Sequence, residues 1–188
     1  MACRFLLISG SLRAASTNSA VLRTAREVAP RGVDSVLYQR LAELPHFNPD
    51  DDGDVVQPVV GELRVAIHAA TALVFSTPEY AAALPGAFKN FLDWTIGDAE
   101  AGSIYEKPAA WINTSTRQAS DAHDELRRVL TYAHAAIVDR ACVEAPVTES
   151  MIGTDGLIRE PAIRDRLAHG LDVLAKHVGC RPLTETKG

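Results

Sequence analysis

Short apolar runs alternate with helix-like segments along most of the chain, and this alternation most constrains the fold. We predict strands at residues 4–9, 33–38, 72–76, 109–113 and 137–143. We predict helices at residues 20–28, 58–70, 87–95, 121–135 and 163–178. Asp121 is the predicted N-cap of the fourth helix. Strands that are separated by helices are joined by crossovers and pair in parallel, so the pattern predicts an α/β sheet with helices on both faces.

One domain is expected over residues 1–180, and the tail 181–188 is expected to be disordered. In a sheet of this class a ligand lies beyond the carboxyl ends of the strands, near the point where the strand order reverses. The polar loops after the first, third and fourth strands should therefore converge on one site.

The composition limits the classes of partner. The formal net charge of −5 argues against a nucleic-acid partner, and no apolar stretch has the length of a membrane span. The six histidines show no metal-ligand spacing, so we expect no metal. Cys3, Cys142 and Cys180 are odd in number and widely spaced, and the N-terminal apolar run is too short for a signal peptide. We therefore expect reduced thiols and a cytoplasmic protein.

The loop after the first strand has the chemistry of a phosphate site. The first N–H groups of a helix lack partners and attract an anion, and Arg13 can supply a positive charge. Further hydrogen bonds can come from the side chains of Ser11, Ser16, Thr17, Asn18 and Ser19. Gly10 is the only glycine here, which excludes the dinucleotide and Walker A loops and favours a terminal phosphate. An ordinary helix cap with a solvated turn is the alternative.

The segment from Ser76 to Trp94 is the second informative stretch. Pro78, Pro85 and Gly86 fix the backbone of a loop that leaves a buried strand. Such a loop can hold N–H groups against the edge of a planar heterocycle, and Tyr80 adds an aromatic face. The alternative is that these residues are only turn and helix-start signals, with Trp94 in the core.

Together the two segments resemble the NADPH-dependent FMN reductase family of flavodoxin-like proteins, which includes quinone, chromate and azo-dye reductases. The first motif, Gly-Ser-Leu-Arg-x-x-Ser-x-Asn, is matched by Gly10, Ser11, Leu12, Arg13, Ser16 and Asn18. The second motif is matched by Pro78, Glu79, Tyr80, Pro85, Gly86, Lys89, Asn90, Asp93 and Trp94. The segment 44–50 resembles the family's connection after the second strand.

The resemblance implies a flavodoxin-like three-layer sandwich with strand order 2-1-3-4-5 and FMN at the carboxyl ends of the strands. It implies that NAD(P)H reduces FMN, that a small acceptor such as a quinone is then reduced, and that the protein is a homodimer or homotetramer. The cofactor carries the chemistry, so no catalytic protein residue is expected. The residues that the resemblance and the loop chemistry place around FMN are Ser11, Arg13, Ser16, Thr17 and Asn18 at the phosphate and Pro78, Glu79, Tyr80 and Ala81 at the ring.

The chain departs from the family pattern at two places. Ala81 and Ala83 stand where the family has Asn and often Ser, and the loop 113–121 lacks the usual paired glycines. Thr114, Ser115 and Gln118 could bond the carbonyls of the ring instead. Arg117 could meet a nucleotide phosphate or be a solvated loop residue. Two other functions therefore stay open: an FMN-binding electron carrier without NAD(P)H activity, and a binding protein that has lost FMN.

Overall fold

The computed structural model describes residues 3–53, 55–117 and 119–180, and in this part of the chain six β-strands are interspersed with five α-helices. The strands are β1 (Cys3–Ser9), β2 (Val33–Tyr38), β3 (Ala72–Ser76), β4 (Pro108–Asn113), β5 (Ala136–Ile137) and β6 (Val143–Glu144). The helices are α1 (Thr17–Glu27), α2 (Pro58–His68), α3 (Gly86–Ile96), α4 (Ser120–Tyr132) and α5 (Pro161–His177). The predicted tail 181–188 lies outside the described residues.

The strands form a parallel sheet in the order β2-β1-β3-β4-β5, which confirms the predicted order. Strand β1 lies inside the sheet, and its Phe5 pairs with Ser35 of β2 on one side and Ala72 of β3 on the other. The chain reverses its direction of travel across the sheet between β1 and β3. The loops after β1 and β3 therefore leave the same edge of the sheet side by side, as a ligand crevice requires.

Helices cover both faces of the sheet, as predicted. Phe5 and Leu7 pack with α1 and α5, whereas Leu6 and Ile8 pack with α2, α3 and α4. Both sets of β1 side chains are fully buried because successive residues of a strand point to opposite faces. This double burial explains why β1 is a continuous apolar run.

The predicted strand over residues 137–143 is wrong in its extent. The first part of β4 pairs with β5, its end pairs with β6, and a 3₁₀ turn at Asp139–Ala141 separates the two short strands. Helix α5 approaches this region so closely at Gly170 that an added Cβ would clash with Val143 of β6 and lie 3.2 Å from the Ala141 carbonyl oxygen of the turn. The interrupted strand still buries Val138 and Ala141, so the apolar pattern of the sequence did not reveal the interruption.

The predicted N-cap of α4 is also wrong. The helix begins at Ser120, so Asp121 lies in its first turn, and Ala119 occupies the cap position without a capping side chain. The carboxylate of Glu79, from the loop after β3, accepts the N–H of Ala122 at 3.1 Å. A residue that is distant in sequence caps this helix, and it thereby ties the β3 loop to α4.

The cysteine prediction is wrong for two of the three residues. Cys3, at the start of β1, and Cys180, just beyond α5, form a disulfide with a sequence separation of 177 residues. Sequence spacing did not reveal that these two chain segments meet. Cys142 is a free cysteine, and burial raises the pKa of its thiol to about 11, so it stays protonated at neutral pH.

None of the helices among the described residues has the length and apolarity needed to cross a membrane.

Reduction of the disulfide should lower the stability of the protein because it releases a long loop in the unfolded chain. We expect a loss of about 2–5 kcal/mol, which lowers the melting temperature by roughly 5–15 °C for a chain of this size. Thermal unfolding with and without dithiothreitol measures the effect. The Cys180→Ser variant is the control, since dithiothreitol should not change its melting temperature. An equal melting temperature for the oxidised and reduced wild-type protein would contradict the expectation.

Candidate functional site

The loop between β1 and α1 presents unpaired donors at a helix start. Ser16 is the N-cap of α1, and its hydroxyl oxygen accepts the N–H of Ser19 at 3.5 Å. The N–H groups of Thr17 and Asn18 have no acceptor within the described residues. Free N–H groups and the helix dipole favour an anion at this position.

Serine side chains shape the rest of this loop. The Ser11 hydroxyl oxygen accepts the N–H of Arg13 at 3.3 Å, and the N–H of Ser11 donates to the hydroxyl oxygen of Ser9 at 3.3 Å. The oxygens of Ser11 and Ser16 are thus used as acceptors of backbone N–H groups. Their hydroxyl hydrogens remain available to donate to a ligand oxygen.

Gly10 brings the β1 loop against the β3 loop. Its N–H donates to the carbonyl of Ser76 at 2.8 Å. A Cβ at this position would lie 2.5 Å from Thr77 Oγ1 and 2.9 Å from the Phe88 ring. Only glycine fits without displacing these neighbours, so the glycine of the first motif serves close loop packing.

The side chain of Asn18 joins three loops. It is buried, and its Oδ1 accepts a hydrogen bond from Thr114 Oγ1 at 3.2 Å. The same Oδ1 lies 2.9 Å from Ser76 Oγ, whose one hydroxyl hydrogen is shared between Asn18 and the Ile112 carbonyl at 2.8 Å. Thr17 Oγ1 lies 3.3 Å from the same Thr114 hydroxyl. The structure therefore brings the ends of β3 and β4 to the start of α1, as expected. The side-chain oxygen of Asn18 is thus engaged beneath the loop, while its backbone N–H has no acceptor within the described residues.

The β3 loop makes a tight two-residue turn next to this site. Tyr80 and Ala83 exchange backbone hydrogen bonds of 3.0 and 3.1 Å. The residues between them, Ala81 and Ala82, have φ values of 51° and 58°, as in a type I′ turn. Asn accepts this left-handed conformation better than Ala, which explains physically why Asn suits position 81. Tyr80 is 47% exposed, so its ring has a free surface for a ligand.

Two carboxylates fix this loop to α4. Glu79 accepts the N–H of Ala122, and Glu125 of α4 accepts the N–H of Leu84 at 2.7 Å. Because the Glu79 side chain is used in this way, its backbone is the part left for a ring. Pro78 is half-buried beside it. The loop is held at both ends, which gives its backbone N–H groups a fixed geometry.

The loop after β4 reaches its conformation without glycine. Asn113 Oδ1 accepts the N–H of Ser115 at 2.9 Å, and Ser115 Oγ accepts the N–H of Arg117 at 3.0 Å. Ala119 then takes a left-handed φ of 46°. Ser115 and Arg117 are accessible, whereas Thr114 is buried. Gln118, which the sequence offered as a ring contact, lies outside the described residues.

Arg13 has a partner that the sequence analysis missed. Its Nη2 lies 2.8 Å from Oε1 of Glu149, and both side chains are largely exposed. The hydrogen bond and the charge of Glu149 raise the pKa of the Arg13 guanidinium above its ordinary value, and Tyr80 adds a smaller effect in the same direction. Glu149 follows the last predicted strand and belongs to neither motif, so no sequence signal linked it to Arg13.

Comparison with known proteins identifies the family. A family model described as NADPH-dependent FMN reductase matches residues 3–148. The chain belongs to this family. It is similar to an NAD(P)H-dependent FMN reductase of Pseudomonas aeruginosa, with 30% identity over 173 residues that span 91% of this chain and 92% of the relative. It is also similar to a 2-hydroxy-1,4-benzoquinone reductase of a Burkholderia species, with 29% identity over 180 residues that span 95% and 97%.

The fold agrees with this assignment. The flavoenzyme NAD(P)H:(acceptor) oxidoreductase FerB of Paracoccus denitrificans superposes with a TM-score of 0.82 at 24% identity, covering 94% of this chain and 97% of FerB. The predicted flavodoxin-like fold, the oxidoreductase class and the FMN and NAD(P)H cofactors of an NADPH-dependent FMN reductase are thus confirmed.

The donor residues of this member of the family fit FMN chemically. Free N–H groups at α1, two serine hydroxyls and Arg13 form a donor set suited to a phosphate. The rigid turn at Tyr80 adjoins it through the packing of Gly10 against Thr77. The Glu149 carboxylate contacts the Arg13 guanidinium of this donor set.

The left-handed turn at Ala81 makes a stability prediction. Ala81→Asn should stabilise the protein by about 0.5–1 kcal/mol because Asn tolerates positive φ better than Ala. Ala81→Val should destabilise it, since a β-branched side chain is strained there. Urea unfolding of both variants measures the difference. Effects of the same sign for Asn and Val would show that the backbone at residue 81 is not left-handed.

Proposed function

We propose that this protein is an NAD(P)H-dependent FMN reductase that passes reducing equivalents through FMN to a quinone-like or other small acceptor. When bound, FMN would take a hydride from NAD(P)H and supply the electrons to the acceptor. The donor set at the start of α1, next to the fixed Tyr80 turn, carries this proposal. Residues 1–180 act as one FMN-binding reductase domain in this account.

The phosphate end is assigned to the α1 loop. The hydroxyls of Ser11 and Ser16 donate to phosphate oxygens, and so do the N–H groups of Thr17 and Asn18. The positive end of the α1 dipole faces the same anion. Arg13 supplies the compensating charge. These groups bind and orient the cofactor and take no part in bond making.

The ring end is assigned to the two neighbouring loops. The backbone of Pro78, Glu79 and Ala81 lines one edge of the ring, and the side chain of Tyr80 supplies an aromatic surface beside it. The hydroxyl of Ser115 donates to a ring carbonyl. A planar acceptor would stack on the ring face that the protein leaves open, which agrees with the quinone reductase names of several relatives.

We also propose a homo-oligomer. Tyr132 is 76% exposed, and it lines a cavity of about 640 Å³ between α3 and α4 together with the apolar Phe47 and charges of both signs, Asp93 and Arg128. A patch that carries both signs can complement itself across a twofold axis. Analytical ultracentrifugation at micromolar concentration tests this, and a monomer throughout would contradict it.

We propose a cytoplasmic location because NADH and NADPH are regenerated inside cells. The cytoplasmic prediction from the sequence was based on three reduced thiols, and the disulfide between Cys3 and Cys180 removes that basis. Alkylation of Cys3 and Cys180 in freshly lysed cells tests the location: fully oxidised residues would contradict a reducing compartment.

Removal of Arg13 tests the phosphate assignment. Arg13→Ala should weaken FMN binding by about 1.5–3 kcal/mol, or roughly ten- to 150-fold, because a charge-assisted contact is lost. Titration of flavin fluorescence measures the affinity. Arg26→Ala, in the exposed last turn of α1, is the matched control and should leave it unchanged. Equal FMN affinity for the wild-type protein and Arg13→Ala would contradict the placement of the phosphate.

Anaerobic reduction separates the three candidate functions. The FMN-loaded protein should lose its flavin absorbance when NADH or NADPH is added and regain it with a quinone. Bound FMN that neither nucleotide reduces would support the electron carrier. A protein that binds no FMN at saturating concentration would support a binding protein that has lost the cofactor.

A further inference from the structure

We propose that the Glu149 carboxylate competes with the flavin phosphate for the Arg13 guanidinium and thereby sets how tightly this protein holds FMN. Glu149 and the phosphate would use the same guanidinium, so binding must either displace the carboxylate or place two anions beside each other. The inference rests on the proposed FMN site and concerns the strength and selectivity of binding there.

The backbone delivers Glu149 to this position. Before it, the N–H of Ala145 donates to the carbonyl of Asn113 at 2.8 Å, and the N–H of Val147 donates to that of Thr114 at 3.0 Å. These bonds continue the pairing between β4 and β6 past the ends of both strands. Glu149 then opens a 3₁₀ turn, Glu149–Met151. The carboxylate therefore comes from a segment attached to the site's own β4 loop.

The same segment is also attached to α1. The N–H of Ile158 donates to Thr24 Oγ1 at 2.9 Å, and Arg23 donates to the carbonyl of Gly156 at 3.2 Å. Both partners lie on the helix whose start forms the phosphate site. Anchors on both sides keep Glu149 close to Arg13, so the carboxylate stays nearby when a ligand arrives.

The ion pair between Arg13 and Glu149 is weak enough for a phosphate to displace it, which favours competition over a permanent block of the site. The Arg13 and Glu149 side chains are 62% and 67% exposed, and an exposed pair contributes little because water screens it. A phosphate that carries two charges and also receives the α1 N–H groups can displace it. The nearby carboxylate then repels the phosphate across a short distance. This repulsion weakens FMN binding but does not prevent it.

Selectivity follows from where Glu149 lies. Within the part of the chain that the structure describes, its carboxylate bonds Arg13, the residue assigned to the phosphate, and not the loops assigned to the ring. Its effect should therefore depend on the phosphate of the flavin. Riboflavin, which has the same ring and no phosphate, should be insensitive to Glu149.

Glu149→Gln tests the proposal because it removes the charge and keeps the shape. We expect FMN to bind about three- to tenfold more tightly, mainly through slower dissociation, with riboflavin affinity unchanged. Glu160→Gln is the matched control, since it makes the same change in net charge at an exposed position at the start of α5. Fluorescence titrations and stopped-flow displacement with both flavins give the affinities and dissociation rates.

The outcomes are distinct. Unchanged or weaker FMN binding by Glu149→Gln overturns the proposal, and so does an equal gain for FMN and riboflavin. If the wild-type protein binds FMN normally in these cases, the proposed function stands without the role of Glu149. If the wild-type protein and Glu149→Gln bind neither flavin, the proposed function fails and the inference fails with it. FMN binding that appears only in Glu149→Gln would support competition.

Discussion

The hydrogen bonds to Asn18 Oδ1 hold the site together. One buried amide oxygen accepts a hydrogen bond from Thr114, just after β4, and contacts the Ser76 hydroxyl at the end of β3, which is shared with the Ile112 carbonyl of β4. The backbone of Asn18 lies in the first turn of α1. Parallel strands bring their carboxyl ends to one edge but do not fix the loops beyond them. The amide supplies that constraint and leaves the first N–H groups of α1 free for an anion. Without this amide, the phosphate loop and the ring loops would lie at the same edge of the sheet, but their positions relative to one another would not be fixed.

The account of the ring loops depends on left-handed backbone at residues that are not glycine. Ala81, Ala82 and Ala119 all have positive φ, which costs a residue with a Cβ energy that glycine or Asn would partly avoid. Surrounding bonds offset this cost: Tyr80 pairs with Ala83, and Glu79 and Glu125 bind the loop to α4. The missing Asn and glycines therefore do not abolish the loop conformations. They make those conformations depend on carboxylates that lie away from the ligand.

The sequence predicted the sheet well because its signals are local and repeated. An interior strand such as β1, buried by helices on both sides, must be apolar on both faces, and helices between strands lead to parallel pairing. The motifs also identified the loops that meet. What the sequence could not predict depends on distant pairs: the bond between Cys3 and Cys180, the cap that Glu79 places on α4, and the ion pair of Arg13 with Glu149. The predicted helix begins at residue 20, whereas α1 begins at Thr17, so Asn18 lies in its first turn and only the structure shows the contacts of its side chain.

A crystal structure of the protein with FMN bound tests the central claim most directly. The account predicts the phosphate within hydrogen-bond distance of the Thr17 and Asn18 N–H groups, with the ring edge along the Tyr80 turn. Contacts of the phosphate to Arg13 in place of Glu149 would agree with competition for one guanidinium. A phosphate bound elsewhere, for example beside Arg117, or a ring that does not touch the β3 loop would contradict the account.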